Sequence, residues 1–362
     1  MNNKPFLDNL KIDSIFGKEN ILRKINSGRI LTVKSGIDPT ATDLHLGHLV
    51  GLTLLRDFLK WGHKVVFVIG DFTAQLGDGK VRPKLSLDET KSNTKFCVEL
   101  INKILGTENV QIVRQSEWME KMSLEEFLRE MSLVSVQKLL THETFKTKID
   151  DKEPLWENEL VYPLLMAIDS VVLKPDVEVG SLEQKFNFQL TRTVMRKHGL
   201  ESEDFILNKR LPGIDGSEKM SKSQNNQIGL NENIDSQVEK LMTMPMDLLQ
   251  TFWELLAESS IKPLDREEMV VEILVTLHPK DEIMNAIKKV GVVELPVSGK
   301  QLIDVLKQSD ETKSAREWKR LVGQRGIRIN DVVVDFQNIR QVVKTGDGIS
   351  VGKNKRIKII DL

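Results

Sequence analysis

The sequence predicts an α/β fold: a doubly wound, mostly parallel sheet comes first, then a helical segment, then a small α+β unit. Three patterns lead there. From residue 29 to about 188, apolar β-branched runs alternate with helix-length amphipathic stretches, the order that buries a parallel sheet between helices. Over residues 234–277 strands give way to helical periodicity broken at Pro245 and Pro263. Beyond the Pro-Val-Ser-Gly stretch at 296–299, a basic helix and short strands return.

Taken in order, residues 29–34 read as a strand running into the turn Gly36-Ile37-Asp38-Pro39-Thr40, and residues 44–61 as a helix. Residues 64–70 form a β-branched strand ending at Gly70-Asp71. Ligands of doubly wound sheets gather at the carboxyl ends of strands, so the loops after Lys34 and Gly70 are the first places to look for a site. Residues 87–105 read as a helix, 110–114 as a strand and 123–140 as one amphipathic helix. Residues 161–173 are mostly apolar yet carry Tyr162 and Asp169, which need partners if buried. Residues 176–188 contain a turn at Gly180-Ser181, and the polar stretch 217–226, SEKMSKSQNN, reads as a mobile surface loop. In the last part, residues 312–324 form a basic helix, 326–334 a hairpin turning at Asn330-Asp331, and 348–360 further strands.

Composition narrows the function. With 362 residues, 52 Lys+Arg against 53 Asp+Glu and 40% hydrophobic content, the chain suits two or three globular domains, and neither a disulfide-stapled peptide nor a disordered chain fits. The single cysteine, Cys97, cannot form an internal disulfide, and no Cys/His cluster is spaced to hold zinc, so a reducing, cytoplasmic setting is expected. No apolar run approaches the ~20 residues of a membrane span, and the first residues lack the apolar core of a secretion signal. Residues 301–362 carry 13 Lys+Arg against 8 Asp+Glu, a basic tail that points to a polyanion or equally to a solvated surface.

The chemistry-bearing residues fall into two groups. His45-Leu46-Gly47-His48 opens a helix after a strand, which places two imidazoles on one helix face near an N-terminus that favours phosphate; taken alone, the pair reads better as capping or surface histidines. Lys219-Met220-Ser221-Lys222-Ser223 offers ammonium groups and hydroxyls suited to a pentavalent phosphate or departing pyrophosphate; taken alone, it could be a solvated charge run. Together, and behind a Gly-x-Asp-Pro-Thr turn, they form a specific signature. No Ser/His/Asp or Cys/His nucleophile arrangement stands out, so rate enhancement by positioning and charge stabilisation is expected.

These residues resemble the two signatures of the class I aminoacyl-tRNA synthetases, and the surrounding text is similar to the tyrosyl-tRNA synthetase family along essentially the whole chain: SGIDPTATDLHLGHL, VVFVIGDFTAQLGD, YPLLMAID, DVEVGSLEQKFN and IDGSEKMSKS appear in the family's order. The C-terminal KSAREWKRLVGQRGIRIN resembles a small RNA-binding domain shared with a ribosomal protein. The resemblance implies a Rossmann-like catalytic domain over 1–215 with a connective insertion at about 115–158, a helical anticodon-side domain over 216–297, and an RNA-binding domain over 298–362. It implies a reaction in two steps: the carboxylate of the amino acid attacks the α-phosphate of ATP, and the aminoacyl group then passes to the terminal adenosine of tRNA. The partners implied are tRNA, tyrosine or a related amino acid, ATP carrying Mg2+ without a dedicated protein cage, and a second copy of the chain through the insertion.

Residue by residue, the resemblance implies that Thr40, His45 and His48 hold ATP and that Lys219, Lys222 and Ser223 close over the pyrophosphate. Gly36, Asp38, Gly47, Gly180 and Glu183 border the nucleotide, and Lys80 and Arg82 add charge from the loop after Asp78. Thr73, Asp78 and Tyr162 surround the substrate ammonium, and Gln184 lies near its carboxyl end. Asp169 accepts from the phenol hydroxyl; a buried carboxylate satisfied only by that hydroxyl would reject a substrate lacking it, tyrosine over phenylalanine being the standard example of such a filter. Lys313, Arg316, Lys319, Arg320, Arg325 and Arg328 are the expected RNA contacts.

The chain also departs from the family pattern. Met166 stands where the family has a glutamine near the ammonium, and a thioether cannot replace that hydrogen bond. Gly180-Ser181-Leu182-Glu183-Gln184 replaces the family's Gly-Gly-Thr/Ser-Asp-Gln, and the loop after Asp78 is short. Lys34 stands where some branches have a tyrosine touching the phenol and others look like this chain. Two further readings therefore stay open beside a tyrosine–tRNA ligase: a paralogue activating another or modified amino acid, and a catalytically silent RNA-binding protein on the same fold.

Overall fold

The structure, a computed structural model, describes residues 7, 10–40, 44–76, 86–106, 110–217, 220–221, 224–258, 263, 265–290, 292–295, 299–309, 314–330, 332–344, 347–351 and 355–359. Two compact units are present, Met1–Pro212 and Gly213–Leu362.

In the first unit the chain runs β1 (Ile12–Phe16), α1 (Lys18–Asn26), β2 (Thr32–Ile37), α2 (Leu46–Lys60), β3 (Lys64–Ile69), α3 (Thr73–Leu76), α4 (Leu87–Leu105) and β4 (Val110–Arg114). It continues through α5 (Ser116–Met119), α6 (Leu124–Met131), α7 (Val136–Leu139), α8 (Glu143–Asp150), α9 (Glu157–Leu173), β5 (Val177–Gly180), a 3-10 turn at Leu182–Gln184, α10 (Lys185–Lys197) and β6 (Asp204–Asn208). The six strands form one sheet in the order β1-β6-β5-β2-β3-β4, all parallel except β1, which pairs antiparallel with β6 at one edge.

This order is doubly wound. After β2 the chain moves out to β3 and β4, then returns to place β5 on the other side of β2. The crevice at the carboxyl ends of β2 and β5 is therefore the topological switch point, where ligands of such sheets bind. Local sequence explains the elements around it. β3 is an apolar run buried from Val65 to Ile69, as a central parallel strand must be. The helix α4 starts at a reciprocal Ser86/Glu89 capping box and stops at Gly106, whose φ of 77° a side chain would resist.

One expected element divides. Instead of a single helix over 123–140, α6 ends at Ser132, whose hydroxyl donates back to the Arg129 carbonyl, and α7 begins at Ser135, whose hydroxyl accepts the Lys138 N–H. The apolar periodicity continues through the break, but serine side chains competing for backbone groups favour helix ends over helix interior. Leu124, Leu128 and Met131 of α6 are all exposed.

The second unit opens with helices α11 (Ile234–Met242), α12 (Met246–Leu256), α13 (Arg266–Leu274) and α14 (Lys280–Lys289). It goes on with β7 (Val292–Leu295), α15 (Leu302–Ser309), α16 (Ala315–Gly323), β8 (Ile327–Ile329), β9 (Val332–Val333), β10 (Gly348–Val351) and β11 (Lys355–Ile359). The strands form a sheet in the order β7-β11-β10-β8-β9, with β7 parallel to β11 and the other pairs antiparallel. Its core gathers Leu302, Val305, Leu306, Trp318, Val322, Ile327 and Ile349, and β7 joins this sheet although it precedes the 296–299 stretch.

Candidate active site

The turn after β2 carries Asp38, and two glycines make room for it. A Cβ on Gly36 would come within 3.1 Å of the Val68 carbonyl of the neighbouring strand, and one on Gly70 within 2.1 Å of Asp38 Oδ1. Asp38 accepts the Tyr162 hydroxyl at 2.9 Å and the Thr73 hydroxyl at 2.7 Å, while its own carbonyl accepts the Thr40 N–H at 2.8 Å. Asp38 thus sits among the residues expected around a substrate ammonium.

From Thr73 a chain of hydrogen bonds runs to Asp169. The Thr73 N–H donates to Gln115 Oε1 at 3.0 Å, which fixes the amide so that its Nε2 faces Asp169, donating to the two carboxylate oxygens at 3.1 and 3.0 Å. The Trp118 indole N–H adds a third bond at 3.0 Å. Asp169 is buried on α9 but is not satisfied by a substrate alone, which corrects the sequence expectation: two side chains at the end of β4 and the start of α5 already hold it as an acceptor. Burial pushes its pKa up to about 7, against the hold of Lys34 and of the Gln115 and Trp118 hydrogen bonds.

The histidine pair takes a different form from the one expected. His45 is not on the face of α2; it is the N-cap residue, with extended backbone (φ −127°, ψ 171°), while His48 lies in the first turn. Nδ1 of His45 accepts the Gly47 N–H and Nδ1 of His48 accepts the His45 N–H, each at 3.2 Å, and the ring centroids are 4.2 Å apart. An imidazole that accepts through Nδ1 carries its proton on Nε2, so capping fixes both rings as neutral donors at a helix N-terminus. The capping reading and the phosphate reading are therefore compatible. Gly47 is needed here, since a Cβ would lie 2.9 Å from the His45 ring.

At the end of β5, a Cβ on Gly180 would come within 2.3 Å of Gln184 Oε1, which accepts the Ser181 N–H at 2.9 Å. Gln184 thereby closes the 3-10 turn, and Glu183 pairs with Arg210 at 3.1 Å. Met166 is contacted through sulfur by the Asn187 amide at 3.2 Å and packs beside Phe188, Phe205 and Leu207. In the second unit Arg316, Lys319, Arg320, Arg325 and Arg328 are all exposed on α16 and β8 and the turn between them. Asp78, Lys80, Arg82, Lys219, Lys222, Ser223 and Lys313 lie outside the described residues.

Sequence reasoning missed Gln115, Trp118 and Arg210. A signal existed for the first: Gln115 directly follows β4, and the rule that singled out the ends of β2 and β3 applies equally there.

A family model described as tRNA synthetases class I (W and Y) matches residues 26–308, and the chain belongs to this family. It is 32% identical over 382 residues to "Tyrosine--tRNA ligase 2" of Clostridium acetobutylicum, covering 96% of this chain and 95% of that protein. It is 32% identical over 374 residues to "Tyrosine--tRNA ligase" of Aquifex aeolicus, with the same coverage of 96% and 95%. Its fold is similar to that of a tyrosyl-tRNA synthetase from Archaeoglobus fulgidus solved with L-tyrosine (TM-score 0.62, 19% identity, 80% of this chain and 96% of that one). It is also similar to a tryptophanyl-tRNA synthetase from Encephalitozoon cuniculi solved with tryptophan (TM-score 0.61, 14% identity, 78% and 87%).

Proposed function

We propose that the chain is a tyrosine–tRNA ligase, which forms tyrosyl-adenylate from tyrosine and ATP and transfers the tyrosyl group to tRNA. The observation that carries the reading is Asp169: a buried carboxylate aimed by Gln115 and Trp118 asks for a hydrogen-bond donor at the end of the substrate side chain, which the phenol of tyrosine supplies and phenylalanine lacks.

We assign the remaining roles from the arrangement of the described residues together with the family resemblance. Asp38 accepts hydrogen bonds from the Tyr162 and Thr73 hydroxyls, which leaves the lone pairs of both oxygens as acceptors for the substrate ammonium. ATP enters as its magnesium complex, and the Nε2–H groups of His45 and His48 donate to its phosphates as the carboxylate of the amino acid attacks the α-phosphorus. Thr40 holds ATP beside the two histidines, Gly36, Gly47 and Gly180 allow the nucleotide to approach the backbone, Glu183 takes the ribose, and Lys219, Lys222 and Ser223 supply charge and hydroxyls to the leaving pyrophosphate. Lys80, Arg82, Asp78 and Gln184 keep the places the family resemblance assigns them. We assign catalysis to residues 1–215, a helical domain to 216–297 and RNA contact to 298–362, where Arg316, Lys319, Arg320, Arg325, Arg328 and Lys313 meet tRNA phosphates. The exposed Leu124, Leu128 and Met131 of α6 support a homodimer through the insertion, and the enzyme works in the cytoplasm.

The test is amino-acid-dependent ATP–pyrophosphate exchange with the standard amino acids and several modified tyrosines. Exchange with tyrosine is expected. Preference for another amino acid, or no exchange at all, overturns the reading.

A further inference from the structure

Behind Asp169 lies a buried group of charges to which none of the roles above assigns work. Lys34 of β2 is 2% exposed; its ammonium pairs with Glu178 of β5 at 2.8 Å and donates to the Ser170 hydroxyl at 2.6 Å. Ser170 follows Asp169 on α9. Glu203, just before β6, is fully buried, with Glu178 and Ser170 as polar neighbours. Three carboxylates, from α9, β5 and the approach to β6, therefore surround one ammonium.

Buried charge in excess of its counter-charge is removed by protonation. Glu203 takes the first proton. Both Glu203 oxygens and Glu178 Oε2 are buried without a close hydrogen-bond partner among the described residues, the nearby Ser170 hydroxyl giving Glu203 only a weaker hold, and a proton on Glu203 provides a donor toward Glu178. Burial and the Glu178 charge push Glu203 well above the ordinary glutamate range. Lys34 and Glu178 then form a pair, and Asp169 is the carboxylate left to face the substrate. Gln115 and Trp118 aim it, but both are neutral. Among the described residues the cation that acts on it is Lys34, held against the neighbouring Ser170, and its hold outweighs the opposing push of Glu178.

We propose that Lys34 is the positioning residue that keeps Asp169 in its charged, accepting form, and so sets the preference for an amino acid whose side chain ends in a hydroxyl. Pinned between Ser170 and Glu178, the ammonium acts through space and leaves the Asp169 oxygens to Gln115, Trp118 and the substrate. The proposal rests on the amino-acid site assigned under Proposed function.

The test compares wild type with Lys34→Met and with Lys34→Met/Glu178→Gln, the second also removing the carboxylate that Lys34 pairs with, in case the first fails to fold. Pyrophosphate exchange is followed against tyrosine and phenylalanine from pH 5.5 to 9. At pH 7 Lys34→Met should show a tyrosine KM raised ~10-fold with kcat little changed, a tyrosine-to-phenylalanine ratio reduced by a similar factor, and an acid limb of kcat/KM moved up by about one pH unit, and the double variant, which also loses the opposing push of Glu178, should show the same changes at smaller size. Most of the loss should be recovered at pH 9, which general damage to the fold would not allow. Wild type specific for tyrosine beside folded variants with an unmoved acid limb, or a loss that high pH does not restore, overturns the proposal alone. Wild-type exchange with a non-phenolic amino acid in place of tyrosine overturns the reading of the site and the proposal with it.

Discussion

Replacing His45 separates two jobs that one ring performs. Its Nδ1 caps α2 by accepting the Gly47 N–H, and its Nε2–H is the group assigned to phosphate. Asparagine is among the best N-cap residues, so His45→Asn keeps the cap and loses the outward donor, whereas His45→Ala loses both. Losing an N-cap costs about 1 kcal/mol of stability, while losing one preorganised donor to a developing negative charge costs on the order of 100-fold or more in rate. The alanine variant should thus be about 1 kcal/mol less stable than the asparagine variant in urea unfolding. Both should lose kcat for pyrophosphate exchange by on the order of 100-fold, with the KM for tyrosine unchanged. A His45→Asn enzyme with wild-type kcat would refute the argument, because it would reduce the histidine to a cap. A loss appearing mainly in the tyrosine KM would refute it as well, by placing the ring at the wrong substrate.

Three further outcomes are expected. Gln115→Met removes the donor shared by both Asp169 oxygens and unpairs the Thr73 N–H, so the tyrosine KM at pH 7 should rise by roughly 10- to 100-fold, the equivalent of a charge-assisted bond of about 1.5–3 kcal/mol, in steady-state exchange kinetics. In wild type, with the ionised form of Asp169 as the proposed acceptor of the phenol and burial pushing its pKa up to about 7, kcat/KM for tyrosine should fall as pH drops below that value and level off above it. Gly70→Ala drives a Cβ into Asp38 and should lower stability by about 1–3 kcal/mol in thermal unfolding while abolishing exchange.

Much of the first unit is legible in the sequence because its signals are local. The limits of α4 and β4 follow from a capping box, a terminal glycine and a β-branched run, and the expected 87–105 and 110–114 coincide with the elements found. The break between α6 and α7 was not legible, since two serines at ordinary spacing decide it against an unbroken apolar pattern. In the site, Tyr162, Asp169 and the histidine pair could be singled out because motif spacing carries them. The partners could not: Gln115 meets Asp169 across 54 residues and Lys34 meets Ser170 across 136, pairings that exist only once the strand order is fixed. The role of the histidine rings was half legible. Their place at a helix start follows from the sequence, but which nitrogen each ring turns inward follows only from the cap geometry.

Thr73 holds Asp38 through its hydroxyl and Gln115 through its amide, and Gln115 holds Asp169, so the two acids at opposite ends of the proposed amino-acid site are joined by one continuous bridge. Such a bridge works as a ruler. It fixes the span between the Thr73 hydroxyl proposed for the ammonium end and the Asp169 acceptor proposed for the hydroxyl end, so a side chain one methylene too long or too short would not satisfy both. Length, and not only the terminal group, becomes part of what the enzyme reads.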